Sequence, residues 1–179
     1  MSKILPGLFL LVAGLQACSN NREVSQSEFS MLSADLENAV TELVELNYLS
    51  TEKISRDQQI SKAFLLMEKI KMTASEEELL LLINHPEGEI AALAFEGLIT
   101  LKSDSTTAAL MQLSEGDRYL NYIQGDMMIT LSALEYAYSY VLGLNLGEQT
   151  VYNAPEINLS SDQILFLENR IMALNQALE

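Results

Sequence analysis

The chain is poor in the residues that most chemistry is built from. It has one cysteine (Cys18), one histidine (His85), no tryptophan and three prolines in 179 residues. A single cysteine excludes an internal disulfide in any redox compartment. A single histidine excludes the paired-histidine zinc sites, and any Ser-His-Asp set would have to be built on His85. Basic residues are also scarce: 10 Lys plus Arg stand against 25 Asp plus Glu, for a formal charge of −15. Such a surface repels phosphate backbones and anionic headgroups, so nucleic acid is not an expected partner. No glycine-rich phosphate loop is present. Long apolar runs are missing as well. The longest, Ile4 to Leu15, is broken by Pro6 and Gly7 and is shorter than the roughly 20 residues that a bilayer core of about 30 Å requires.

That short run is nevertheless placed with purpose. Met1, Ser2 and Lys3 give a basic start, the apolar stretch follows, and Leu15-Gln16-Ala17-Cys18 comes next, the layout of a secretory signal. The last four residues resemble the lipobox of bacterial lipoproteins: leucine three before a cysteine, a small residue just before it, then the thiol. The resemblance implies cleavage after Ala17 and acylation of Cys18 with diacylglyceryl and palmitate-type chains. Each buried CH₂ contributes about 0.8 kcal/mol, so two or more chains anchor firmly where one is marginal. Ser19, rather than aspartate, follows the cysteine, which under the common Gram-negative sorting rule implies the outer membrane, facing the periplasm. Expected boundaries are a signal peptide over 1–17, a polar tether over 18–27 and a single domain over 28–179. A tether of that length spans on the order of 16 Å, and the about 160 residues left after cleavage suit one domain.

Within the domain the spacing predicts helices. Ser25 and Glu28 stand at capping-box spacing ahead of Phe29, Leu32, Leu36, Val40, Leu43 and Leu46, one stripe at steps of three and four. A second helix is expected from Arg56 to Met72, with Ile60, Ala63, Phe64, Met67 and Ile70 inward and Lys62, Glu68 and Lys69 outward. Ser75 and Glu78 open a short helix that His85-Pro86 stops; Glu87, Gly88 and Glu89 turn into another carrying Ile90, Leu93, Ala94, Leu98 and Leu101, the last two expected in the core. The run from Ser75 to Ser103 resembles a HEAT-type repeat, with Ala91 where that family often has arginine. A weaker hairpin is expected from Thr106 to Leu113 and Asp126 to Leu142, then a long loop over Gly143 to Ser160, then a helix opened by Ser160 and Gln163 that closes the stack. The resulting expectation is an all-α domain of helical hairpins, a short HEAT-like solenoid or irregular bundle.

No catalytic set, metal site or cofactor motif emerges. Glu115, Asp117 and Asp126 lie close in sequence and are the one carboxylate group on which an ion site or an acid/base pair would rest. Tyr122 and Tyr152, near or within the long loop, are the candidate partner-binding residues, because tyrosine gives contact area with little entropy lost. The functional expectation is a membrane-tethered, non-enzymatic interaction module held to the bilayer through acylated Cys18 and binding another envelope protein. An immunity-type inhibitor of a toxin or lytic enzyme is the alternative, and a carboxylate-dependent hydrolase is the third. Replacing the thiol tests the anchor: Cys18→Ser should shift the protein from the membrane to the soluble fraction on cell fractionation, and equal membrane association of mutant and wild type would refute lipidation.

Overall fold

The computed structural model describes residues 31–54, 59–143 and 157–178. The chain order is α1 (Ala34–Leu46), β1 (Leu49–Ile54), β2 (Gln59–Ile60), α2 (Lys62–Thr73), α3 (Glu76–Leu82), α4 (Gly88–Thr100), α5 (Thr106–Leu113), β3 (Tyr119–Gly125), β4 (Met127–Ser132), α6 (Ala133–Val141) and α7 (Ser161–Gln176). The four strands form one mixed sheet in the order β2-β1-β3-β4. Its outer pairs are antiparallel and its central pair, β1 with β3, is parallel. The fold is therefore mixed α/β, which corrects the all-α expectation.

Helix α4 is the centre. Every residue from Gly88 to Ile99 is buried, and α1, α2, α3, α5, α6 and β3 all pack on it. Its composition explains most of this: apolar residues lie on all its sides, and such a helix must be enclosed, with only Glu89 and Glu96 carrying charge inward. Parallel strands need a long crossover, and α2 to α5 supply it between β1 and β3.

Local signals set several boundaries. Both reciprocal capping boxes form, Ser75 with Glu78 and Ser160 with Gln163. Glu78 does more than cap its own helix: one carboxylate oxygen accepts from the Ser75 N–H and the other from the Ser33 N–H, each at 2.8 Å. It thereby joins the N-cap of α1 to that of α3, and the hydrogen bond from the Ser75 backbone holds its carboxyl below the usual range. Helix α1 ends with Asn47 in the left-handed region (φ 58°), its N–H on the Leu43 carbonyl, a cap that asparagine tolerates.

Three expectations are corrected. The helix predicted from Arg56 starts only at Lys62, behind N-cap Ser61, and Ile60 lies exposed in β2. The helix predicted from Asp126 starts at Ala133. The segment before it is a hairpin whose two-residue turn begins with Gly125 at φ 62°, the glycine-first pattern of a two-residue hairpin loop. Ile129 stands at a helical step from Ala133, so strand and helix share one apparent periodicity; Ser132 divides them by accepting the Glu135 N–H. Leu98 is buried as expected, but Leu101 is exposed. The chain leaves α4 there: Lys102 is left-handed (φ 55°), its N–H bonds the Ile99 carbonyl, and the Ser103 N–H bonds the Leu98 carbonyl. These are the paired bonds of a Schellman ending.

Helix α7 packs on β4. It buries Leu167 and Leu174, sends the Arg170 Nε–H to the Ser114 carbonyl at 2.9 Å, pairs Arg170 with Asp117, and offers its Leu174 carbonyl to the Tyr119 hydroxyl. It thus seals the end of the sheet where β3 begins rather than the end of a helical stack.

The tightest approach between helix and sheet is at Gly88. A β-carbon there would lie 2.1 Å from the Tyr119 carbonyl oxygen and 2.6 Å from its carbon. Both are backbone atoms of a buried junction and cannot swing aside. Gly88→Ala should destabilise by about 2 to 3 kcal/mol or more, as over-packing of a close-packed interior does. Urea unfolding measures this, and an unchanged midpoint would contradict the contact.

Candidate functional site

Two places stand out, one sealed and one open. The sealed one lies where α2, α4 and α6 meet. Lys71, near the end of α2, points inward rather than to solvent; its side chain is 5% exposed and that of its partner Glu96 is 2% exposed. The Lys71 Nζ lies 2.6 Å from Glu96 Oε1 and 2.5 Å from Glu68 Oε1. The other Glu96 oxygen accepts the Tyr136 hydroxyl at 3.2 Å, and the Tyr136 and Tyr140 hydroxyls lie 3.1 Å apart. The rings pack alongside in tilted pairs: centroids are 5.6 Å apart at 59° for Tyr122 and Tyr136 and 5.2 Å apart at 51° for Tyr136 and Tyr140.

The electrostatics of this cluster favour holding over reacting. Burial alone would pull the Lys71 ammonium down, but the Glu96 charge and hydrogen bonds to Glu68 and Glu96 together carry it above its ordinary value. Its stabilising contribution is present below the unfolded lysine pKa and is lost as pH rises through the higher folded one. Burial, and then the Glu96 charge, push Tyr122 up to about 12 and raise Tyr136 and Tyr140 as well. A lysine kept charged and phenols kept neutral give neither a free amine nor a phenolate, so the cluster acts as a polar bolt through three helices.

His85, Arg118 and Glu89 also join neighbouring elements. His85 accepts the Glu87 N–H on Nδ1 at 3.2 Å, while Arg118 donates to the Ile83 and His85 carbonyls. Burial, and then the Arg118 charge, lower the imidazole to about 4, so it stays neutral in the turn. Glu89, buried in the first turn of α4, accepts the Asn121 N–H at 3.1 Å, and burial raises its carboxyl. Asp117 pairs with Arg170, whereas Asp126 lies at the far end of the hairpin. The seven residues of β3 separate them by about 20 Å, so the fold does not bring Glu115, Asp117 and Asp126 into one site. Among the described residues no group of three His, Cys, Asp or Glu could hold a metal ion.

Of the candidate binding residues, Cys18 and Tyr152 lie outside the described residues, as does most of the loop between Gly143 and Ser160. Tyr122 is described and buried, on the core face of β3 against Tyr136. Its contact area is used inside the molecule.

The open place is the outer strand. Met127, Met128 and Ile129 are 61%, 66% and 41% exposed, and Thr130 beside them is exposed too. Register explains why. Leu131 pairs with Leu120 and Ile129 with Tyr122, so Leu131, Ile129 and Met127 share the core face; only Leu131 is covered. The core thus ends before the strand does. Helical periodicity hid these residues. The signal that marks them is the two-residue Gly125-Asp126 turn between two stretches rich in β-formers, Tyr119 to Ile123 and Met127 to Leu131.

Comparison with known protein families, curated proteins and solved structures finds no match for this chain.

The bolt is tested by unpairing it. Removing one partner of a buried ion pair costs about 3 to 5 kcal/mol, whereas replacing both by apolar groups is often neutral. Lys71→Met should therefore lower stability by that amount, and Lys71→Met combined with Glu96→Leu should recover most of it in urea titrations. Equal losses in the single and double variants would show that the pair does not couple.

Proposed function

We propose that this protein is an envelope lipoprotein, tethered through acylated Cys18, whose α/β domain is a non-enzymatic docking module for another envelope protein. The observation that carries the docking reading is the apolar outer strand: three large apolar side chains in a row stand exposed on β4. Methionine suits such a surface, being flexible and polarizable enough to fit more than one shape. The lipobox residues Leu15, Ala17 and Cys18 support the tether. No helix of the described residues is long and apolar enough to cross a membrane, so the acyl chains carry the attachment in this reading. Acidity favours a basic partner, which keeps an inhibitor of a cationic toxin or lytic enzyme as one form of the same docking function. The hydrolase alternative gains nothing from the fold, since its three carboxylates are held apart.

The test is capture after crosslinking in native membranes. Wild-type protein and the triple variant Met127→Ser, Met128→Ser, Ile129→Thr are compared at equal expression and equal melting midpoint. An envelope protein recovered with wild type and reduced about tenfold or more in the variant, a difference of roughly 1.4 kcal/mol, is the expected result. The same proteins in the same amounts from both would remove β4 as the docking surface.

A further inference from the structure

The direction of the backbone groups on β4 says what form a partner would take. In an antiparallel ladder, residues alternate between turning both N–H and C=O toward the neighbouring strand and turning both away. The Ala133 N–H bonds the Arg118 carbonyl at 2.8 Å, which sets the phase. Leu131, Ile129 and Met127, opposite Leu120, Tyr122 and Gln124, turn inward to β3. Met128 and Thr130 therefore turn their N–H and C=O outward, and no strand among the described residues pairs there. Edge strands are normally guarded by shortness, charge, proline, a bulge or a covering helix; α7 packs on β4, yet Met127 to Thr130 stay exposed beside it. The opposite edge follows that rule, since β2 has only two residues. Strand β4 has six residues, no charge and no proline, and its register with β3 is unbroken.

Charge selects among possible occupants. The uncharged strand is bounded by a carboxylate beyond each end, Asp126 before Met127 and Glu135 three residues after Ser132, on a chain of net charge −15. A second copy would bring the same sign to the same edge and be repelled at ranges within a Debye length of about 8 Å. Apolar side chains of an added strand would meanwhile extend over Met127 and Ile129, where the core face is uncovered.

We propose that the outer edge of β4 receives an extended, cationic segment of a partner protein as a fifth strand, paired to the backbone of Met128 and Thr130. This rests on the reading of the domain as a docking module and specifies its partner. Backbone bonds supply affinity in this mode and alternate side chains supply selectivity.

A labelled peptide of alternating valine and threonine with lysines at both ends is the probe, titrated by fluorescence anisotropy onto the full lipidated protein in zwitterionic micelles. Saturable binding is expected, weakened about tenfold or more by Thr130→Pro. That substitution deletes an outward N–H and no backbone β3–β4 bond, at a position where edge strands accept proline. It also removes the exposed Thr130 hydroxyl bond to Asn121 Oδ1; Thr130→Val removes that bond alone and should leave binding unchanged. Methylating alternate amides of the peptide should weaken binding equally and leaves the protein untouched, so this arm decides the matter if Thr130→Pro does not fold. Exchanging the flanking lysines for glutamates should abolish binding. Equal binding of the methylated or the glutamate-flanked peptide would overturn the proposal. So would a wild-type dimer in sedimentation that Thr130→Pro converts to monomer, which would give the edge to a second copy. Capture of an envelope protein that depends on Met127, Met128 and Ile129, with no binding of any peptide, would overturn strand pairing while leaving the docking function in place.

Discussion

Helix α4 carries two glutamates, Glu89 and Glu96, into the middle of the molecule, and a buried carboxylate without partners costs several kcal/mol. The surrounding elements are arranged to meet that demand. Helix α2 brings Lys71 and α6 brings Tyr136 to Glu96; β3 brings the Asn121 N–H to Glu89. Each glutamate therefore attaches α4 to a different layer, one to the helices and one to the sheet. Apolar packing alone leaves a helix free to rotate or slide by small amounts among similar neighbours. Directional bonds to fixed atoms do not. The Tyr122, Tyr136 and Tyr140 rings fill the space around the ion pair and keep water from competing for it, which makes the pair depend on packing as much as packing depends on it.

What could be read from the residues follows the range of the interaction involved. Capping boxes are local, so Ser75 with Glu78 and Ser160 with Gln163 were legible, as was the hairpin of α3 and α4 with Leu98 inside it. The sheet was not. Its central pairing joins Leu49 to Tyr122, far apart in sequence, and β1 alternates poorly, with two buried residues followed by partly and fully exposed ones. In β4 the step from Ile129 to Ala133 imitates a helix that begins only at the second of those residues. Lys71 reads as one more surface charge on α2 because its buried partner, Glu96, lies on another helix. The candidate site divides in the same way. Cys18 was singled out from contiguous residues that resemble a lipobox and lies outside the described residues, whereas the edge of β4 required knowing that a sheet exists, and Tyr122, chosen for its chemistry, is turned inward by strand alternation.

The parallel pairing of β1 with β3 also governs when the domain can form. Strand β1 stands near the start of the described chain, yet its partner comes only after α2, α3, α4 and α5. No N-terminal fragment that stops short of Tyr119 contains a complete sheet, and in any such fragment α4 lacks the cover of β3 and α6. A lengthening chain can pack α1 to α5 on one another early, but it can neither close the sheet nor cover α4 on its remaining sides. The central strand pairing arrives only once the last third has emerged, because loop closure over that span precedes the contacts it permits.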